Sequence, residues 1–84
     1  MATGRVSPDM EDVRDRLAQN LRKLRQAKGL SQEEFAHQAG LHRTYVSDLE
    51  RGARNPTITV VDKLAVALGV PVGALLDEQH SGAS

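Results

Sequence analysis

Residues 31–52 read SQEEFAHQAGLHRTYVSDLERG, and this stretch decides the fold. Gly40 stands at a corner between two short segments, where glycine tolerates the positive φ that a tight turn favours. Ala36 is small enough for two helix backbones to approach each other closely. Val46 and Leu49 are three residues apart, so they share one face of a helix. The stretch therefore predicts two short amphipathic helices packed around a glycine corner.

The opposite face of the second helix is polar. It carries five side chains that can form hydrogen bonds: Arg43, Thr44, Ser47, Asp48 and Arg51. A helix with an apolar stripe toward the core and such a row opposite is suited to the major groove of DNA. We therefore interpret the stretch as a helix-turn-helix that reads a DNA sequence.

Local signals on both sides of this motif predict three further helices. Ser7-Pro8 is a typical helix start, and apolar residues at helical spacing continue that first helix to about Lys28: Met10, Val13, Leu17, Leu21 and Leu24. Ser31 and Glu34 form a capping box for the second helix. The third helix is predicted from about Arg43 to Arg51.

Thr57 caps a fourth helix that Gly69 ends, and Val70-Pro71 begins a short fifth helix. The predicted fold is all-α, a compact five-helix bundle with the helix-turn-helix at helices two and three. We expect residues 1–7 to be a flexible N-terminus, residues 8–77 to form the domain and residues 78–84 to be a disordered tail.

Composition narrows the class of protein. The chain has 84 residues, of which 39% are apolar, enough for one small domain with a thin core. It contains no cysteine, which excludes disulfides and thiolate metal sites. No apolar run is long enough to cross a bilayer, and the first residues lack the apolar core of a signal peptide. We expect a cytoplasmic protein without a membrane partner.

The net charge is zero, whereas many DNA-binding domains are strongly basic. The distribution is uneven, however. Residues 22–54 hold seven basic and four acidic groups, a net charge of +3, and residues 1–21 and 55–84 are net negative. Positive charge is thus concentrated around the motif, which favours one DNA-facing side and predicts weak binding to DNA of arbitrary sequence.

The run from Leu21 to Leu76 resembles the phage-repressor and Cro type of helix-turn-helix domain, the XRE family. Its markers occur in order: LRKLR before a glycine, the SQEE start, LERG, NP-T and ALGV. The resemblance implies a lambda-repressor-like bundle that binds palindromic operators as a dimer, and a bacterial regulator associated with the nucleoid. The segments HRTYVS and ERGARN are also similar to the small controller proteins of restriction–modification systems, which regulate their own promoters.

The resemblance assigns roles to individual positions. Arg25 and Glu50 match a partly buried salt bridge that would hold the third helix against the first. Four residues match positions that face base edges: Arg43, Thr44, Ser47 and Asp48. Five match positions near the DNA backbone: Gln32, Tyr45, Arg51, Arg54 and Asn55. Asp48 departs from the usual residue types, and three roles stay open for it: accepting a hydrogen bond from a cytosine amine, or pairing with Arg43 or with Arg51.

The C-terminal corner is rich in apolar residues. We expect Val70, Val72, Leu75 and Leu76 to form a homodimer surface, since exposed apolar patches are usually partner surfaces. Two copies would place their recognition helices about one DNA turn, roughly 34 Å, apart.

Other classes of function are weaker alternatives. An antitoxin that masks a toxin and also binds its own promoter would need a further binding segment, and the tail at 78–84 lacks apolar anchors. A scaffold module would have no reason to cluster Arg43, Arg51 and Arg54. No catalytic arrangement is recognisable, so we expect no enzymatic activity. His37 and His42 share no helix face, so we expect no metal site. We also expect no cofactor, and no small-molecule effector because no ligand-binding domain is recognisable after the bundle.

Overall fold

Five helices joined by short turns make up residues 12–78, the part of the chain that the computed structural model describes. In chain order they are α1 (Val13–Ala27), α2 (Gln32–Ala39), α3 (Arg43–Glu50), α4 (Ile58–Leu68) and α5 (Val72–Leu76). No strand occurs within these residues, and the all-α, five-helix prediction is confirmed. None of these helices combines the length and apolar character that crossing a bilayer requires.

The first helix begins later than the apolar pattern predicts. Asp12 has an extended backbone (φ −68°, ψ 144°), and its carboxylate accepts a hydrogen bond from the N–H of Arg14 at 2.8 Å. Asp12 is therefore the N-cap, and the prediction of a continuous helix from Ser7-Pro8 is wrong at this residue. Ser7-Pro8, the predicted flexible N-terminus and residues 79–84 of the predicted tail lie outside the described residues.

Side-chain caps fix the starts of α2 and α4, as predicted. The Ser31 hydroxyl accepts the Glu34 N–H at 3.0 Å, and the Glu34 carboxylate accepts the Ser31 N–H at 2.8 Å. The latter bond holds the pKa of Glu34 below its ordinary value. The Thr57 hydroxyl accepts the Val60 N–H at 3.2 Å. Each cap supplies a partner to an N–H group that a helix terminus would otherwise leave unpaired.

Helix α3 packs between α1 and α2. Helix α1 packs against α3 and α5, α2 packs against α3 and α4, and α4 packs against α5. The largest fully buried side chains come from all five helices: Leu21, Phe35, Val46, Leu49, Leu64 and Leu75. Burying each one stabilises the fold by roughly 1.5–3 kcal/mol. Because Val46 and Leu49 belong to this set, the opposite face of α3 has to face outward.

Two side chains of α1 hold the end of α5. The Asn20 amide nitrogen donates to the carbonyl oxygens of Leu75 at 2.9 Å and Asp77 at 2.8 Å, and Arg16 Nε donates to that of Leu76 at 3.0 Å. Leu75 is completely buried in the core. It offers no surface to another molecule, so Leu75 has to be removed from the predicted dimer surface.

Candidate nucleic-acid interface

The corner between α2 and α3 positions the start of α3 at the surface. Gly40 ends α2 with φ +72°, and the N–H of Leu41 donates to the carbonyl of Ala36 at 2.8 Å. Ala36 is buried, so the close approach that its small size predicts is present. His42 is the N-cap of α3 and forms no side-chain cap hydrogen bond. The first turn of α3 therefore begins at the corner without a side-chain cap from His42.

Arg43 and Thr44 occupy that first turn and are both exposed. Among the described residues, neither side chain forms a hydrogen bond or an ion pair with another. Ser47, one turn further along, is partly buried. No residue between 12 and 78 thus occupies the donors of the Arg43 guanidinium, and an arginine can give two of them to one guanine.

The other end of α3 is held firmly. The Glu50 side chain is 1% exposed, and its two oxygens accept hydrogen bonds from Arg25 Nε at 2.6 Å and Arg25 Nη2 at 2.9 Å. A third nitrogen of the same guanidinium, Nη1, donates to the carbonyl of Leu30 at 2.8 Å. The carboxylate raises the pKa of Arg25 above its ordinary value, mainly through these hydrogen bonds. The salt bridge that the resemblance assigns to Arg25 and Glu50 therefore joins α1 to α3.

Two more side chains converge on Glu50. The Gln32 amide nitrogen donates to Glu50 Oε1 at 3.0 Å, and Arg22 Nη2 donates to the Glu50 carbonyl at 3.3 Å. One donor of the Gln32 side chain is thus bound to Glu50, and the expected contact of Gln32 with the DNA backbone stays a prediction. Sequence reasoning gave Arg22 no role, although its spacing of three from Arg25 on α1 places both on one face.

A second charged group lies on the outward side of α3. The Asp48 carboxylate accepts a hydrogen bond from Arg51 Nη2 through Oδ1 and one from Arg54 Nε through Oδ2, the latter at 3.2 Å. The Arg54 guanidinium carbon also lies 4.8 Å from the centre of the Tyr45 ring. We call these four residues the outer cluster. Of the roles left open for Asp48, pairing with Arg51 is present and pairing with Arg43 is not.

The turn after α3 brings Arg54 into the outer cluster. The N–H of Ala53 donates to the carbonyl of Asp48 at 2.9 Å, and that of Gly52 donates to the carbonyl of Leu49 at 3.1 Å. This pattern is a Schellman motif, which requires a left-handed residue, and Gly52 supplies it with φ +73°. Asn55 follows in the same turn and is exposed.

The electrostatics of the outer cluster keep Asp48 ionised. Partial burial of the carboxylate raises its pKa, but the hydrogen bonds from Arg51 and Arg54 lower it by more, so the pKa of Asp48 lies below its ordinary value. Asp48 therefore carries a full negative charge at neutral pH, beside two positive charges. Within residues 12–78, no three His, Cys, Asp or Glu side chains are grouped closely enough to hold a metal ion.

The family model described as Helix-turn-helix (HTH_3) matches residues 21–75, more than half of the chain. The chain belongs to this family. It is a DNA-binding regulator of transcription of the XRE type, and its family is not one of enzymes. The resemblance stated from the sequence motifs is thereby confirmed.

Two kinds of relative stand out. The chain is 51% identical over 69 residues to a hypothetical transcription factor of Neisseria meningitidis, an alignment covering 82% of this chain and 65% of that protein. A crystal structure of a hypothetical transcription factor from Neisseria superposes with a TM-score of 0.77 at 48% identity, covering 87% of this chain and 84% of that one.

Restriction–modification controller proteins form the second kind. The chain is 44% identical over 68 residues to the control protein C.SmaI of Serratia marcescens, covering 81% of each. The crystal structure of the controller protein C.AhdI from Aeromonas hydrophila superposes with a TM-score of 0.72 at 47% identity, covering 74% of this chain and 94% of that one. The chain is therefore related to the controller proteins.

Proposed function

We propose that this regulator binds an inverted-repeat operator as a homodimer and acts near its own promoter, in the manner of a controller protein. The observation that carries the proposal is the contrast within α3. One end is fixed through Glu50 to α1 and α2, and the first turn presents Arg43 and Thr44, whose side chains form no hydrogen bond or ion pair with another described residue. A rigidly held helix with free donors at its N-terminal turn is suited to reading base edges.

The proposal divides the residues of the outward face of α3 and of the turn that follows it into two sets. Arg43 reads a guanine through two hydrogen bonds, Thr44 contacts a thymine methyl group, and Ser47 extends the reading edge into the groove. Backbone contacts come from the remaining set: Tyr45, Arg51, Arg54 and Asn55. Gln32 belongs to this second set only through its backbone N–H at the start of α2, since its side chain binds Glu50.

The dimer surface in this proposal lies around α5. Val70, Val72 and Leu76 are partly buried against the core and retain some exposure, and Val66 at the end of α4 is 71% exposed. An apolar surface of this kind is stabilised when a second copy covers it. We expect sedimentation at micromolar concentration to give a dimer, and Val66→Asp to shift the protein toward a monomer. A wild-type monomer at high micromolar concentration would contradict the dimer.

The operator is tested by selecting bound sequences from a random DNA pool at a stated salt concentration. We expect enrichment of two identical half-sites in inverted order, with centres about 10 base pairs apart. The matched control is the Arg43→Ala, Thr44→Ala double variant, whose folding is checked by circular dichroism. It should recover no motif. An enriched motif without symmetry, or none at all from the wild-type protein, would reject the proposal.

A further inference from the structure

Asp48 lies on the outward face of α3, among residues that the proposed function assigns to DNA. Its neighbours along the helix are Tyr45 three residues before and Arg51 three residues after, and both share its side of α3. An acidic group near the phosphates of DNA is repulsive, so its presence here needs a physical reason.

The geometry of the outer cluster supplies one. Each oxygen of the Asp48 carboxylate accepts a hydrogen bond from a different arginine, Oδ1 from Arg51 and Oδ2 from Arg54. A DNA phosphate would offer the same two arginines the same kind of acceptor, two oxygens that share one negative charge. The carboxylate thus occupies the acceptor position that a phosphate would take.

The exposure of these side chains shows that the arginines remain reachable. The Asp48 side chain is 18% exposed, whereas those of Arg51 and Arg54 are 62% and 50% exposed. Each arginine gives Asp48 one donor, and its other N–H groups form no hydrogen bond with the described residues. Two positive charges and one negative charge leave the outer cluster with a net charge of +1.

We propose that Asp48 is an internal substitute for a DNA phosphate, which weakens binding to DNA of arbitrary sequence and so makes stable binding depend on base contacts. The inference rests on the proposed function, because it takes Arg51 and Arg54 to be backbone-contacting residues. Asp48 acts through these two arginines and is therefore a positioning residue that determines specificity.

Counterion release gives the size of the effect. The logarithm of the binding constant falls with the logarithm of salt concentration with a slope of about −0.9 for each phosphate neutralised. Replacing Asp48 by asparagine frees one positive charge per subunit. For each bound subunit, the slope should therefore steepen by about 0.9 and the affinity for arbitrary DNA near 0.1 M salt should rise roughly tenfold. Operator affinity should rise less, because an ionised Asp48 in the groove can accept a hydrogen bond from a base amine.

The experiment measures fluorescence anisotropy of a duplex of arbitrary sequence titrated with wild-type protein or Asp48→Asn, at several salt concentrations between 50 and 200 mM. The matched control is Asp62→Asn, which removes the same charge from an exposed position on α4. We expect a steeper slope and tighter binding for Asp48→Asn and a much smaller change for Asp62→Asn. Equal changes in the two variants, or weaker binding by Asp48→Asn, would overturn the inference.

A second arm tests whether Asp48 acts through the arginines. In an Arg51→Ala, Arg54→Ala background, adding Asp48→Asn should change the slope and the affinity much less than in the wild-type background, since no masked arginine charge remains and only direct repulsion of the phosphates is removed. If Asp48→Asn has its full effect in that background, the carboxylate repels DNA directly and the inference is wrong. Circular dichroism and a urea midpoint for every variant separate loss of binding from loss of folding.

The two proposals can fail separately. If the random pool yields a symmetric motif but Asp48→Asn leaves the salt slope unchanged, the inference about Asp48 fails and the operator proposal stands. If the pool yields no symmetric motif but the slope steepens, the operator proposal fails and Asp48 still masks the arginines. If neither the wild-type protein nor Asp48→Asn binds DNA, both are overturned.

Discussion

Glu50 and Asp48 are two carboxylates on one helix, and their surroundings are opposite. They are two residues apart, which at about 100° per residue places them on opposite sides of α3. Glu50 points inward with 1% exposure and bonds to Arg25, whereas Asp48 points outward with 18% exposure and bonds to Arg51 and Arg54. The same chemical group therefore joins the helix to the bundle on one side and adjusts the charge of its outer surface on the other.

Burial, more than distance, determines what each ion pair contributes. Breaking a buried pair leaves a charge without solvent or partner, which costs several kcal/mol, whereas exposed pairs contribute little. The inward carboxylate should therefore control stability, and the outward one should control DNA binding. Four substitutions, of decreasing expected effect, test this difference between the inward and outward sides of α3.

Arg25→Met should cause the largest loss, about 3 kcal/mol of the free energy of unfolding, because it leaves the buried Glu50 carboxylate with Gln32 and the more distant Arg22. Urea denaturation measures it. The control is the double variant Arg25→Met, Glu50→Met, which removes both charges and should be more stable than the single variant. A single variant within 1 kcal/mol of the wild type would show that the pair does not hold α3.

Arg43→Ala tests the opposite, free end of α3. We expect the free energy of unfolding to stay unchanged, since Arg43 has no partner among the described residues. Discrimination at one base pair in each half-site should fall by about 1–3 kcal/mol, because the paired hydrogen bonds to guanine are lost. Repeating the selection from a random pool measures it. Arg51→Ala is the control: it should weaken binding to all sequences alike and reduce the salt slope.

Gly52→Ala tests the turn that follows α3 and brings Arg54 close to Asp48. Its φ of +73° is unfavourable for residues with a Cβ, so alanine should lower the free energy of unfolding by about 1–2 kcal/mol. The added Cβ would also lie 2.9 Å from Asp15 Oδ1, but that carboxylate is at the end of an exposed side chain and can move.

The matched control is Gly73→Ala in α5, where a Cβ meets no atom within 4 Å and the backbone φ is not positive. Helix propensity favours alanine there, so urea denaturation should find Gly73→Ala equal to or more stable than the wild type. Equal losses in the two variants would mean that left-handed geometry at Gly52 is not required.

The sequence predicted the helices where the signals are local. Ser31, Glu34 and Thr57 cap helices through residues three positions away, so short segments suffice to place the starts of α2 and α4. The start of α1 was different, because the apolar spacing of Met10 and Val13 continues across Asp12. A cap at Asp12 and a longer helix are both compatible with that pattern, and only the extended backbone at Asp12 decides between them.

The candidate site was predictable as a set of residues and not as a set of contacts. Arg25 and Glu50 followed from the family resemblance, but the hydrogen bond from Gln32 to Glu50 joins residues 18 apart and depends on side-chain orientation. The bonds from Asn20 to Leu75 and Asp77 span 55 and 57 residues. No periodicity carries such information, and for the same reason the burial of Leu75 could not be separated from the exposure of Leu76 beside it.

Asp12 and Arg14 provide the smallest expected effect and the sharpest test of the role of burial. Their oxygen–nitrogen distance is 2.9 Å, close to the 2.6 Å of Arg25 and Glu50, but their side chains are 44% and 46% exposed. The side-chain hydrogen bond from Arg14, with the bond from its N–H, lowers the pKa of Asp12 from 3.8 to about 2. Any stability that this carboxylate contributes is thus present above pH 4 and is lost as the pH falls toward 2.

Arg14→Ala removes the side-chain hydrogen bond to Asp12 and keeps the backbone N–H that caps α1. The substitution should therefore affect the pKa of Asp12 more than the stability of the fold. We expect an NMR titration to show the pKa of Asp12 moving up toward its ordinary value and the urea midpoint at pH 7 to fall only slightly, because solvent largely replaces the lost partner of an exposed carboxylate. A fall in the urea midpoint comparable to that of Arg25→Met would mean that contact distance decides the worth of an ion pair here. The burial of Glu50 and the exposure of Asp48 would then not explain why one carboxylate controls stability and the other controls DNA binding.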